Sequence, residues 1–218
     1  MSLKKTSTLQ DLERRCKEFI KKELQKESDS AHDLNHILRV VKNAKQILEN
    51  ETADAEIVIA GAWLHDCVIL PKDHPDRKNA STLAAEKAGD FLSGIEFPMD
   101  KIEGVRHAVE AHSFSAGIPP QTTEANIVQD ADRLDAIGAI GIARCLMIGG
   151  NLNRPLYSPE DPLSENREPD DSIWTVDHFY EKLFKLPGLM YTKSAKREAE
   201  RRVQFMKKYL QELKGEIS

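Results

Sequence analysis

Disulfides are the first thing this chain lacks. Its three cysteines, Cys16, Cys67 and Cys145, are odd in number and far apart. That pattern excludes a disulfide framework and fits reduced thiols. An excess of positive charge is also missing. The formal net charge is -5, which argues against a nucleic-acid-binding surface. No apolar run is long enough to span a bilayer, and the start, Met1-Ser-Leu-Lys-Lys-Thr, lacks the apolar core of a signal peptide. Strand alternation and internal repeats do not occur either. What is present is 218 residues, 40% hydrophobic and 31% charged, enough for one globular domain with a sizeable core. The expectation is a soluble cytoplasmic protein with neither a membrane nor a nucleic-acid partner.

Helical period runs through nearly every segment. Leu9, Leu12, Cys16, Phe19, Ile20 and Leu24 repeat at helical spacing behind Thr8, a capping residue followed by first-turn acids. After a polar break at 28–33, a second helix is expected from Asp33 to about Asn50, carrying His36, Val40, Val41, Ala44 and Ile47. Thr52, with Glu56 nearby, opens a third. Further helices are expected over 81–92, from Met99 behind Pro98 to about His112, and from Thr122 or Thr123 through Ile127 and Val128. Gly138 and Gly141 sit in an apolar pattern; they allow either close helix approach or a short break between two helices. Residues 149–171 hold Pro155, Pro159, Pro162 and Pro169 among polar residues. This stretch reads as a long mobile surface loop over or beside a site. Two closing helices are expected, over about 173–186 and 194–214. The fold class is all-α.

Against this background Trp63-Leu64-His65-Asp66 stands out. It closes the apolar run Ile57-Val58-Ile59-Ala60-Gly61-Ala62, which reads as a buried helix. Burying an imidazole and a carboxylate without partners is costly. A cation satisfies both, since neutral imidazole and ionised carboxylate are metal ligands; a hydrogen-bonded core His beside a solvent-facing Asp is the competing reading. Histidines and acids on apolar helix patterns recur elsewhere: His36 lies before the pair, and Asp130, Asp132 and Asp135 lie after it. Imidazoles plus carboxylates suit Mn, Fe, Ni, Co, Zn or Mg. Four protein ligands on an ion that prefers six leave positions for water and substrate.

Three stretches carry a resemblance: Ser30-Ala-His-Asp-Leu-Asn-His-Ile-Leu-Arg-Val-Val, Ala60-Gly-Ala-Trp-Leu-His-Asp and Gln129-Asp-Ala-Asp-Arg-Leu-Asp-Ala-Ile-Gly. His107-Ala-Val-Glu-Ala-His-Ser-Phe-Ser and Lys182-Leu-Phe-Lys-Leu-Pro-Gly-Leu-Met extend it over most of the chain. The sequence resembles the HD-domain metal-dependent phosphohydrolases, in particular the small stand-alone bacterial branch, some of which are nucleotide pyrophosphohydrolases. The resemblance implies a single-domain helical bundle of the HD type over 1–218. It gives His36, His65, Asp66 and Asp132 as metal ligands, with manganese as the first candidate ion. His36 is preferred to His32 because the family ligand precedes the Ile-Leu-Arg-Val run. Asp132 is preferred to Asp130 because the family ligand lies in the Ala-Asp-Arg-Leu core.

The same resemblance implies hydrolysis of a nucleotide or related small phosphate ester, most simply a nucleoside triphosphate going to monophosphate and pyrophosphate. Phosphodiesterase or monophosphatase activity is the alternative within the superfamily. A non-catalytic metal-stabilised nucleotide-binding module is the alternative of another class. Asp66 and His112 are the candidate catalytic residues, together with Asp135, one turn beyond Asp132, which would orient a ligand or a water. His112 occupies the position that implies binding of the leaving phosphate or donation of a proton. His107 is either a second substrate contact or a satisfied polar edge. Arg133, Lys182 and Lys185 are the candidate counter-charges for phosphate, with a solvated helix face as the competing reading for each. Cys67-Val-Ile-Leu supplies no acid for a general base, and a divalent ion makes one unnecessary by lowering the pKa of bound water. The expected assembly is a monomer or homodimer.

Overall fold

The structure, a computed structural model, describes residues 2–24, 34–70, 74, 76–113 and 116–217. The expected break at 28–33 with His32, most of the 71–75 loop, and Phe114 and Ser115 of the His112 stretch lie outside the described residues. All regular structure among the described residues is helical, so the all-α expectation holds. No single helix among them is long and apolar enough to cross a membrane. The chain divides into two compact units, Met1–Asp132 and Arg133–Ser218.

The first unit is built from α1 (Ser2–Leu24), α2 (Leu34–Leu48), α3 (Ala55–Leu64), α4 (Ala80–Gly94), α5 (Met99–Ala111) and α6 (Thr123–Asp135) as far as Asp132. Helix α3 is its axis, packed against α1, α2 and α5. Residues 58–64 are buried on every side, which is what a helix apolar all round requires. Full burial of side chains such as Ile59 and Leu64 contributes about 1.5–3 kcal/mol each. Gly61 permits the close approach of α5 and α6: a Cβ there would lie 3.1 Å from Val128 and 3.3 Å from Ala108.

The start of α3 is capped by Asp54, not by Thr52 as expected. Asp54 Oδ1 accepts from the backbone N–H of Glu56 at 2.9 Å and of Ile57 at 3.4 Å. Lys101 of α5 reaches both Asp54 and Glu56 at 2.6 Å. Glu124 of α6 accepts from the Asp54 N–H at 2.9 Å. The cap is thus chosen by long-range partners as well as by local preference. Of the two candidates for α6, Thr122 is the cap; its hydroxyl accepts from the Ala125 N–H. Helix α1 starts at Ser2 and runs through the Thr8 position expected to begin it.

The second unit holds α7 (Gly138–Asn151), α8 (Asp177–Glu181) and α9 (Lys193–Ile217). Between the two readings of Gly138 and Gly141, the structure takes the break. Helix α6 ends at Asp135, and Gly138 opens α7 at φ +80°, a conformation glycine adopts without strain. A Cβ on Gly141 would stand 2.3 Å from the Ala136 carbonyl oxygen. That obstacle is backbone and cannot swing aside. Gly141→Ala is therefore expected to cost about 3 kcal/mol, the upper end of the overpacking range, read as a drop in Tm. An unchanged melt would show that this turn is wrongly drawn.

The helix expected over 173–186 does not form as one piece. The N–H groups of Thr175 and Val176 are taken by the carbonyls of Pro155 and Leu156, at 3.0 and 2.9 Å. Helix α8 lasts five residues. Lys182 leaves the helical region at φ -131°, and Leu183–Leu189, with Pro187 inside it, winds as a 3₁₀ helix.

Residues 152–176 contain no helix, as their prolines suggest, but they are cross-linked. The buried Asp177 carboxylate is the node. Arg167 donates to both of its oxygens, at 2.5 and 2.7 Å. The Asp170 N–H donates to it at 2.6 Å and the Ser164 hydroxyl at 3.0 Å.

Candidate metal centre

Three helices of the first unit bring ligand-type side chains together. His36 stands on the buried face of α2 with Ile37, Val40 and Val41. His65 ends α3, and Asp66 follows it into a turn. Asp132 comes from α6. The Nε2 atoms of His36 and His65 are 3.2 Å apart. Asp66 Oδ2 is 3.5 Å from each of them, and Asp132 Oδ1 is 3.5 Å from His36 Nε2. His112, at the end of α5, joins from the other side with Nε2 3.4 Å from Asp66 Oδ1.

Backbone carbonyls orient two of the rings. His65 Nδ1 donates to Ala62 O at 2.9 Å, and His112 Nδ1 donates to Val109 O at 2.5 Å. A carbonyl can only accept, so each Nδ1 bears a proton and each Nε2 is turned toward Asp66. Burial pushes the His65 imidazole down to about 4, against the pull of Asp66. It is therefore neutral, with a bare Nε2 lone pair. Burial also lowers His112, but its contact with the Asp66 carboxylate outweighs burial and raises it. Burial raises the Asp66 carboxyl, yet its interaction with the adjacent His65 ring and the contacts of His112 and His36 hold it well below the usual carboxylate range.

The donor set fits a divalent cation. One proton shared between His36 and His65 would satisfy that pair alone. The carboxylate contacts at 3.5 Å are too long for good hydrogen bonds. They suit atoms that share an ion: ligands about 2.1 Å from one metal lie roughly 3.0–3.4 Å from each other. His36, His65 and Asp66 offer ligand atoms all within 4.8 Å of one another. Exposure is graded across the set. His65 is fully buried, while the Asp66 and Asp132 side chains are 18% and 30% exposed. The carboxylates thus form the open side. The neighbouring Cys67 thiol is pushed up to about 12 by burial and donates to Ala84 O.

Other candidates are placed differently. Asp130, two residues before Asp132, is fully buried. Asp135 lies in the second unit, where Arg144 donates to its Oδ2 at 2.6 Å. His107 Nε2 accepts from the Gln121 N–H at 2.9 Å and so pins the loop after α5. Arg133 donates to Leu189 O and stacks over Tyr191. Lys185 pairs with Glu181 on an exposed face, and Lys182 is exposed. Two residues that periodicity did not single out buttress the centre. Asn43 Nδ2 donates to Ala131 O at 3.0 Å, tying α2 to α6 beside Asp132. Gln129 Nε2 donates to Ala111 O at 2.6 Å, tying α6 to α5 beside His112. A buried Asn and Gln on apolar helix faces were the available signal.

Comparison with known proteins adds the following. Residues 33–137 match the sequence model of the HD domain. YpgQ, an uncharacterized protein of Bacillus subtilis strain 168, is 33% identical over 195 residues, covering 88% of this chain and 87% of its own length. The crystal structure of an HD-superfamily hydrolase from Bacillus thuringiensis matches with a TM-score of 0.76 and 33% identity, over 95% of this chain and 97% of the other. The crystal structure of Bacillus subtilis YpgQ in complex with ADP matches with a TM-score of 0.73 and 30% identity, over 96% of each chain.

Proposed function

The chain belongs to the HD-domain superfamily, and on that premise we propose that it is a metal-dependent phosphohydrolase acting on nucleotides, most simply on nucleoside triphosphates to give monophosphate and pyrophosphate. The observation that supports the reading is the donor set: His36, His65 and Asp66 offer ligand atoms within 4.8 Å of one another, and Asp132 Oδ1 stands 3.5 Å from His36 Nε2. The ADP bound by YpgQ supports a nucleotide as the ligand. In this reading His36, His65, Asp66 and Asp132 hold the ion, with manganese the first candidate. When bound, a divalent cation supplies polarisation of a phosphoryl oxygen and activation of water at neutral pH.

The protein's own groups do the rest. The two Nδ1–H···O=C bonds fix the rings of His65 and His112 before substrate arrives, so no reorganisation is needed during the reaction. Asp66 supplies negative charge where a dication would otherwise be uncompensated in a buried setting. Asp132, the more exposed carboxylate, lies on the side from which phosphate approaches. His112 Nε2, 3.4 Å from Asp66 Oδ1 at the edge of the centre, takes the proton-donor role toward the leaving oxygen.

The test is turnover of nucleoside triphosphates by protein stripped of metal and then reconstituted with Mn, Mg, Ni or Co, with products identified. Stripping is expected to abolish turnover and one of the ions to restore it. Full activity in a preparation verified to be metal-free would overturn the reading.

A further inference from the structure

A cavity of about 230 Å³ opens beside Asp66, bounded by α1, α4 and the turn after α3. Leu24, Val68, Ile69 and Leu70 supply its apolar wall, and Asp66, Cys67, Glu23 and Lys87 the rest. One ion pair belongs to this polar part. Glu23 of α1 and Lys87 of α4 both line the cavity, and Lys87 Nζ donates to Glu23 Oε2. Their side chains are 14% and 38% exposed, so the pair is reachable from the cavity without being a free surface bridge.

The chemistry of this lining narrows the occupant. A phosphate is disfavoured, because the Lys87 charge is already met by Glu23 and an anion would face that carboxylate. A second cation is disfavoured by the ammonium. A neutral, flat, largely apolar group with a donor and an acceptor side by side on one edge fits both walls and pair: Glu23 accepts from its N–H, and Lys87 donates to its carbonyl or ring nitrogen. The size agrees, since 230 Å³ is below the roughly 300–1,000 Å³ of sites for whole drug-sized ligands. It holds one end of such a molecule, with the remainder reaching Asp66. We infer that this cavity is a nucleobase subsite, in which the Glu23–Lys87 pair reads the hydrogen-bonding edge of the base while the phosphates lie at the metal centre. This inference rests on the phosphohydrolase reading and extends it to how the nucleoside end is selected.

The experiment compares Mn-loaded wild type, the double variant Glu23→Gln/Lys87→Met and the cavity-filling Leu24→Trp by calorimetric titration. The ligands are the four ribonucleoside monophosphates and inorganic phosphate. The double substitution removes both charges together and so strands neither; Leu24→Trp leaves the pair intact and blocks the space. In the wild type at least one nucleoside monophosphate is expected to bind tenfold or more tightly than phosphate. Both variants are expected to bring that nucleotide to the level of phosphate, with phosphate binding itself unchanged. Two results overturn the subsite while leaving the phosphohydrolase reading intact. One is nucleotides binding no better than phosphate in the wild type, and the other is a nucleotide advantage that survives both variants. Loss of phosphate binding in the double variant also counts against it, because the pair would then serve the metal centre. Wild type that binds neither phosphate nor any nucleotide would remove the phosphohydrolase reading, and this one with it.

Discussion

Asp66→Asn is expected to abolish measurable turnover and to weaken metal binding by more than about 100-fold, since removal of groups that merely support ligands already costs about 10–100-fold. Asn keeps the shape of the side chain and one carbonyl oxygen; it loses the charge. Asp66 is the hub of the cluster, 3.5 Å from His36 and His65 and 3.4 Å from His112. Without its charge, a dication would sit among imidazoles with Asp132 as the remaining carboxylate, and uncompensated charge in a buried site is costly. The fold is expected to survive, because the substitution is isosteric and Asp66 is partly exposed. Metal titration beside a thermal melt separates the two effects. Metal affinity and turnover equal to those of wild type would mean that Asp66 does not touch the ion, and the centre would have to be drawn elsewhere.

The second large effect separates two aspartates that are two positions apart. Asp132→Ala is expected to lose the metal and activity while melting close to wild type, since Asp132 lies 3.5 Å from His36 Nε2 and is 30% exposed. Asp130→Ala is expected to keep most of the metal and lose stability instead, by about 3 kcal/mol. Asp130 is fully buried, and truncating one member of a buried polar arrangement leaves the others uncompensated, at about 3–5 kcal/mol for charged groups. Metal content and Tm measured on both proteins decide the assignment. The opposite pattern would place the ligand at Asp130.

Sequence made the candidate metal centre legible because its residues violate their surroundings. His36 interrupts an apolar stripe, and His65 and Asp66 end a helix that is otherwise apolar all round. Such violations show in a period-3.6 pattern without knowledge of the fold. The resemblance then chose Asp132 over Asp130; in the structure Asp132 Oδ1 stands 3.5 Å from His36 Nε2, and Asp130 is fully buried. Other features depend on partners distant in sequence and left weaker traces. The α3 cap went to Asp54 rather than Thr52 because Lys101 and Glu124 hold Asp54 in place. Asn43 finds Ala131 across 88 positions, which no local window contains. The expected helix over 173–186 was overridden where Thr175 and Val176 gave their N–H groups to Pro155 and Leu156. The Asp135 carboxylate receives Arg144 from nine positions on, a partner that helical phase alone does not reveal.

The Asp177 node also fixes how the proline-rich segment comes apart. Contacts from Ser164, Arg167 and Asp170 converge on one buried carboxylate, so they have no independent breaking points. Partial fraying would leave that charge buried with too few donors, which costs more than opening everything at once. Residues 164–177 are therefore expected to open largely as one cooperative unit, which hydrogen exchange would show as common protection across the segment. For a protease, the peptide bonds inside this unit become accessible in a single step, governed by the release of Asp177 rather than by the local softness of any one turn.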